Sequence, residues 1–141
     1  MVDRSIPGGY VLSMHACRNL RIRIGALGTC AIREVLYYYG GSARRGIGSR
    51  IQRHARPTKP RHWHIDYLTT RSDIRVLEAW CYPEQFDTEH QLQYLPQVDL
   101  ENILPGFGAG DCAEGCPSHL WHASDKLFPE DISADYYIVS F

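Results

Sequence analysis

The sequence predicts an α+β domain: a small, mainly antiparallel sheet flanked by helices. Short segments of alternating apolar and polar residues, rich in tyrosine and isoleucine, recur along the chain. Two segments with helical spacing interrupt them, one basic and one acidic. Glycine and proline punctuate the joins, with no repeat, low-complexity tract or linker. At 141 residues, 44% hydrophobic and 22% charged, one domain spanning 1–141 with its own core is expected.

The first strand is "GGYVLSM" (8–14), with Tyr10, Leu12 and Met14 on one face, and "RIRIG" (21–25) alternates likewise. "EVLYYYGG" (34–41) is a third strand, aromatic and closed by two glycines. "ARRGIGSRIQRHAR" (43–56) reads as a helix after its glycines, ended by Pro57. Ile47, Ile51 and Ala55 form its apolar stripe; Arg50 and His54 share a flank, and Arg53 and Arg56 point further out. A strand ending in a tight turn that feeds a basic helix is common where phosphates are handled.

"WHIDYL" (63–68) and "IRVLEAWC" (74–81) read as strands, and "DTEHQLQYL" (87–95) as a short helix with Asp87 at its N-cap. Glu89, Leu92 and Leu95 recur every third residue and share a side, so this carboxylate leans inward. A carboxylate beside leucines needs a cation, either a metal or Arg50. "LPGFGAGDCAEGCPSH" (104–119) is a Gly/Cys loop, and "YYIVSF" (136–141) a final strand.

The formal net charge of −1 conceals an asymmetry. Residues 1–76 hold 14 Lys+Arg against 4 Asp+Glu, and residues 77–141 hold 1 against 12. Thirteen of the fifteen basic residues are arginine, whose planar fork suits bidentate contacts to phosphate. A basic half of this kind is the footprint of a nucleic-acid binder; the alternative is that the halves neutralise each other within the fold. No run reaches about 18 apolar residues, and "MVDRSIPGGYVL" lacks the apolar core of a signal peptide. No membrane association and a cytoplasmic location are the expectation. The spacing of Cys17, Cys30, Cys81, Cys112 and Cys116 argues against a disulfide framework.

Gly8-Gly9-Tyr10 at the start of one strand and Tyr39-Gly40-Gly41 at the end of another resemble the two halves of the GIY-YIG nuclease signature. In "GIGSR", Arg50 stands where those nucleases carry their helix arginine, and in "TEHQL", Glu89 stands where they carry their metal-binding glutamate. "YYYGGSA", "RHAR", "HWHIDYL" and "GFGAGDC…SHL" are similar to an uncharacterised branch of that superfamily, found alone or fused to endonuclease III-type glycosylases. The resemblance covers residues 8 to 122.

It implies a GIY-YIG endonuclease-like fold and phosphodiester hydrolysis in DNA, in repair or processing, with one Mg2+ or Mn2+ ion held mainly by Glu89. Arg50 would bind a non-bridging phosphate oxygen, Tyr10 would act as general base and Tyr39 would orient the water or the phosphate. A phenol titrates near 10, so Tyr10 would need the field of Arg50 and the metal; His54 is an alternative base or a phosphate ligand. Backbone contacts would come from Ser42, Arg44, Arg45, Arg53, Arg56, Lys59, His62 and His64. Ser42 replaces the lysine of several relatives, so Arg44 or Arg45 would supply that contact. The 29 residues from Tyr10 to Tyr39 enlarge the intervening loop, whose Arg18, Arg21 and Arg23 could add further contacts. A non-catalytic nucleic-acid-binding module is the rival reading.

On a strand, His62, His64 and Asp66 would project from one face, as metal ligands or as a polar face supporting the site, with Asp66 and Asp111 behind the first contacts. Cys112, Cys116, His119 and His122 are spaced C-x3-C-x2-H-x2-H. They offer a structural zinc site, although relatives carry a tighter cysteine pair; packing of a glycine-rich turn is the alternative.

Overall fold

Strand pairing follows the alternating patterns. The computed structural model describes residues 2–110 and 112–141. In chain order it contains β1 (Gly8–Ala16), β2 (Leu20–Arg23), β3 (Thr29–Ile32), β4 (Leu36–Ala43), α1 (Ile47–Ala55), α2 (Asp66–Thr69), β5 (Ile74–Pro83), α3 (Thr88–Gln91), β6 (Leu120–His122) and β7 (Tyr137–Ser140). Five strands form an antiparallel sheet in the order β6-β4-β1-β5-β7, and β2 and β3 form a separate hairpin from the long loop after β1. This is an α+β fold, a small sheet flanked by helices.

The period of two in β4 places its tyrosines on opposite faces. Tyr37 and Tyr39 join Tyr10, Leu12 and Met14 in one core, which Ile47 and Ile51 of α1 and Leu68 of α2 cover. Tyr38 joins Val11, Trp80, Tyr82 and Trp121 in the other, which Leu92 covers just beyond α3. Buried phenols need partners: Tyr38 accepts the Leu127 N–H at 3.0 Å, and Tyr82 donates to the Pro129 carbonyl at 2.7 Å. Among the described residues no helix is long and apolar enough to cross a membrane.

Between β4 and α1 the chain turns at Gly46, whose φ of 113° is a region that favours glycine. The start of α1 is closed by the chain itself. The Ile47 N–H donates to the Ile6 carbonyl at 3.1 Å and the Gly48 N–H to the Arg4 carbonyl at 2.7 Å. A Cβ on Gly48 would lie 2.8 Å from Arg4 Cβ. The expected phosphate-ready helix start is therefore occupied by residues 4–6.

Residues 63–68 are not a strand. The Asp66 carboxylate accepts the N–H groups of His62 and Trp63, each at 2.8 Å, and this curls the segment into the turn that becomes α2. His62, His64 and Asp66 consequently do not line one face. The expected helix over 87–95 is a single turn, α3, continued as a 3-10 turn at Leu92–Tyr94; Asp87 holds the N-cap position without a side-chain cap bond.

Candidate functional site

β6 pairs with β4 only over Tyr37–Tyr39, and beyond them the Gly40 N–H donates to the His119 carbonyl at 3.0 Å. At this open end of the sheet lies a cleft of about 490 Å3, walled by Arg50 and Trp63 on one side and by Glu89, His90 and His119 on the other. Tyr10, Tyr39, Ser42 and Arg44 also line it. The glycines of the two triplets make room for these walls. A Cβ on Gly40 would lie 2.8 Å from Glu89 Cα, one on Gly9 would strike the Thr88 hydroxyl, and one on Gly41 would strike the Tyr10 hydroxyl.

Tyr10 Oη and His54 Nε2 are 2.7 Å apart; both residues are buried, and of the two only Tyr10 reaches the cleft. Burial pushes the Tyr10 phenol up to about 12 even though Arg50 pulls it down. Burial, with Lys59 and Arg50 nearby, drives His54 down to about 3. Both groups are therefore neutral across the physiological range, and His54 is not a base poised near neutrality. It does not line the cleft, so its place is behind Tyr10 and not on a phosphate. Tyr39 packs its ring against Tyr10, His54 and Phe107, with centroids 6.1–6.4 Å apart, and burial raises its pKa well above the usual value.

Arg50 donates to the Ser42 carbonyl at 2.9 Å and lies 4.5 Å over the Trp63 ring, which holds its guanidinium at the cleft wall. Arg53 covers the same ring at 4.2 Å and grips Asp66 at 2.6 and 2.9 Å. Burial opposes ionisation of Asp66, yet the Arg53 fork and the two N–H groups together hold its carboxyl below the usual range. Asp66 thus positions Trp63 and, through it, Arg50. Arg53 is committed to this pair, and Lys59 caps α1 by donating to the Arg53 and His54 carbonyls at 2.8 and 3.0 Å. His64 Nδ1 accepts the Gly108 N–H at 2.9 Å, which ties the loop after α1 to the 104–119 loop. His62 and Arg56 are exposed, and Arg45 faces a separate groove beside Arg4.

On the other wall Glu89 Oε1 is 3.5 Å from His90 Nε2, and its Oε2 is 3.9 Å from His119 Nδ1. Donor atoms of His90, Cys112, Cys116 and His119 all lie within 4.8 Å of one another, and this group could hold a metal ion. The fourth member differs from the sequence expectation. His122 sits on β6 with Asp99 at 3.0 Å and in contact with Arg33, because β6 carries it away from the loop after His119. Asp111 lies outside the described residues.

A family described as "domain of unknown function DUF123" matches residues 9–137. The chain belongs to that family. No curated protein matches it, and no solved structure does.

In this DUF123 domain Tyr10, Tyr39, Arg50 and Glu89 line one cleft although they come from four different elements. Sequence reasoning missed Trp63 as the platform for Arg50 and His90 as a partner of the cysteines. The signal for His90 was its place beside Glu89, 22 residues ahead of Cys112 and so outside any local spacing motif.

Proposed function

We propose that this protein is a divalent-metal-dependent endonuclease of the GIY-YIG type that hydrolyses phosphodiester bonds in DNA, with a role in repair or processing. The observation that carries this reading is the convergence of Tyr10, Tyr39, Arg50 and Glu89 on one polar cleft at the open end of the sheet. Arg44 extends the cleft's basic rim, and a second groove lined by Arg18, Arg21, Arg23 and Arg61 gives the backbone of a nucleic acid a further place to lie.

Glu89 is the residue that would hold a Mg2+ or Mn2+ ion. Asp87 and Glu114 on the same rim make the surroundings oxygen-rich, as a hard cation requires. When bound, that ion polarises the phosphate and favours the departing oxygen. Arg50 binds a non-bridging phosphate oxygen, held ready by Trp63 and Ser42. Tyr10, hydrogen-bonded to His54 behind it, orients the attacking water. With both groups neutral near pH 7, the water's proton passes to a phosphate oxygen or to solvent as its oxygen bonds to phosphorus and the P–O bond to the departing oxygen breaks. Tyr39 closes the apolar back of the cleft.

The test is cleavage of labelled single-stranded, duplex, flap and nicked DNA with Mg2+, Mn2+ or EDTA, on wild type and Glu89→Ala. Metal-dependent cutting that falls by about 10³-fold or more in the variant is expected. Binding without cutting under either metal would instead favour a non-catalytic nucleic-acid-binding module. Equal cutting by the variant would remove Glu89 from the mechanism.

A further inference from the structure

We propose that His90, Cys112, Cys116 and His119 form a structural zinc site that fastens α3 to the 104–119 loop beside the cleft. His90 Nδ1 lies 3.2 Å from Cys116 Sγ and 3.7 Å from Cys112 Sγ. A tetrahedral zinc ion with sulfur at about 2.3 Å and nitrogen at about 2.1 Å sets its S and N ligands about 3.6 Å apart. The observed separations are close to the edges of that tetrahedron, so an ion fits with small side-chain adjustments. Two thiols and two imidazoles are a soft donor set that selects zinc over the hard ions suited to Glu89.

The surroundings are those of a closed metal site. Cys116 and His119 are buried and His90 and Cys112 half-buried, which suits four protein ligands with no open position. Coordination through His90 Nδ1 directs Nε2–H toward Glu89 Oε1, the carboxylate–histidine arrangement that orients metal-bound imidazoles. Gln93 donates its side-chain N–H to Cys116 Sγ at 3.3 Å, a bond that a thiolate accepts well. Residues 99–119 contain no helix or strand among the described residues; turn bonds, the Gly106–Pro117 and His119–Phe107 backbone bonds and His64 hold the segment together. A zinc ion would add a direct tie between this segment and α3 and would fix the helix that carries Glu89.

Zinc content decides the matter without reference to cleavage. Protein purified under reducing conditions and offered Zn2+ should hold one zinc per chain. Zinc affinity should fall at least about tenfold in His90→Ala and Cys116→Ser and be unchanged in His122→Ala. Replacement by Co2+ should give the visible bands of tetrahedral cobalt with a thiolate charge-transfer band. If Cys116→Ser does not fold, the cobalt spectrum of the wild type decides alone. Wild type that takes up no stoichiometric zinc, an octahedral cobalt spectrum, or zinc lost in His122→Ala but kept in His90→Ala would each overturn the proposal.

Discussion

On the α1 side of the cleft, Arg53 grips Asp66 at 2.6 and 2.9 Å while Arg50 lies over Trp63; on the α3 side, Glu89 faces two imidazoles at 3.5 and 3.9 Å. The first set of contacts is short, charge-assisted and internal to the protein. The second is longer and combines a carboxylate, imidazoles and thiols, the groups that cations bind. One wall is held by its own charge-assisted bonds, whereas the other gathers groups that could hold a metal ion.

If that contrast holds, the largest single effect should come from Asp66→Ala. It removes a fully buried carboxylate from its arginine and from two backbone N–H groups. Stability should fall by about 3 kcal/mol, measured by urea unfolding, and by the same amount with or without EDTA. A loss that depends on chelation would show that the α1 wall is not self-sufficient.

Acidity gives a second, smaller effect on the same wall. The folded His54 pKa of about 3 lies below its ordinary value of 6.5, so the unfolded chain takes up a proton that the folded chain refuses. Stability on this account is fully present above pH 6.5 and is lost as pH falls through the interval between 6.5 and 3. At about 1.36 kcal/mol per pH unit, the loss by pH 5 is about 2 kcal/mol, and it should vanish in His54→Gln. The same burial predicts that the pH–rate profile of the proposed DNA cleavage has no limb belonging to His54 between about pH 5 and 8. Such a limb, abolished in His54→Gln, would return this histidine to the chemistry.

Gly40→Ala probes the α3 wall with the smallest expected cost in stability, about 1–2 kcal/mol. Its new Cβ would meet Glu89 Cα at 2.8 Å and push the helix outward. The proposed cleavage should fall more than the stability loss explains, and a variant that cuts as wild type does would separate Glu89's position from this backbone contact.

Much of this arrangement was legible in the sequence, for identifiable reasons. The alternation in β1, β4 and β5 encodes their burial on the sheet, and Ile47 and Ile51 encode the inward face of α1. Residues 63–68 misled because their alternation is outweighed by one side chain, Asp66, that takes the backbone's hydrogen bonds for itself. β6 is three residues long, too short for any period to show. His90 joins the cysteines only through tertiary packing, which no spacing rule reaches. The glycine triplets could be read as a signature but not as what they are here, clearances for Thr88, Glu89 and the Tyr10 hydroxyl.

The hydrogen bond from Arg50 to the Ser42 carbonyl has a consequence for strand pairing. Ser42 lies on β4 past Tyr39, the last residue that β6 pairs among the described residues. An uncovered strand edge invites another chain to pair with it, and a charged side chain seated on its carbonyl discourages that. By occupying that carbonyl the Arg50 guanidinium, while facing the cleft, also takes away a bond that an added strand would need at this point of β4.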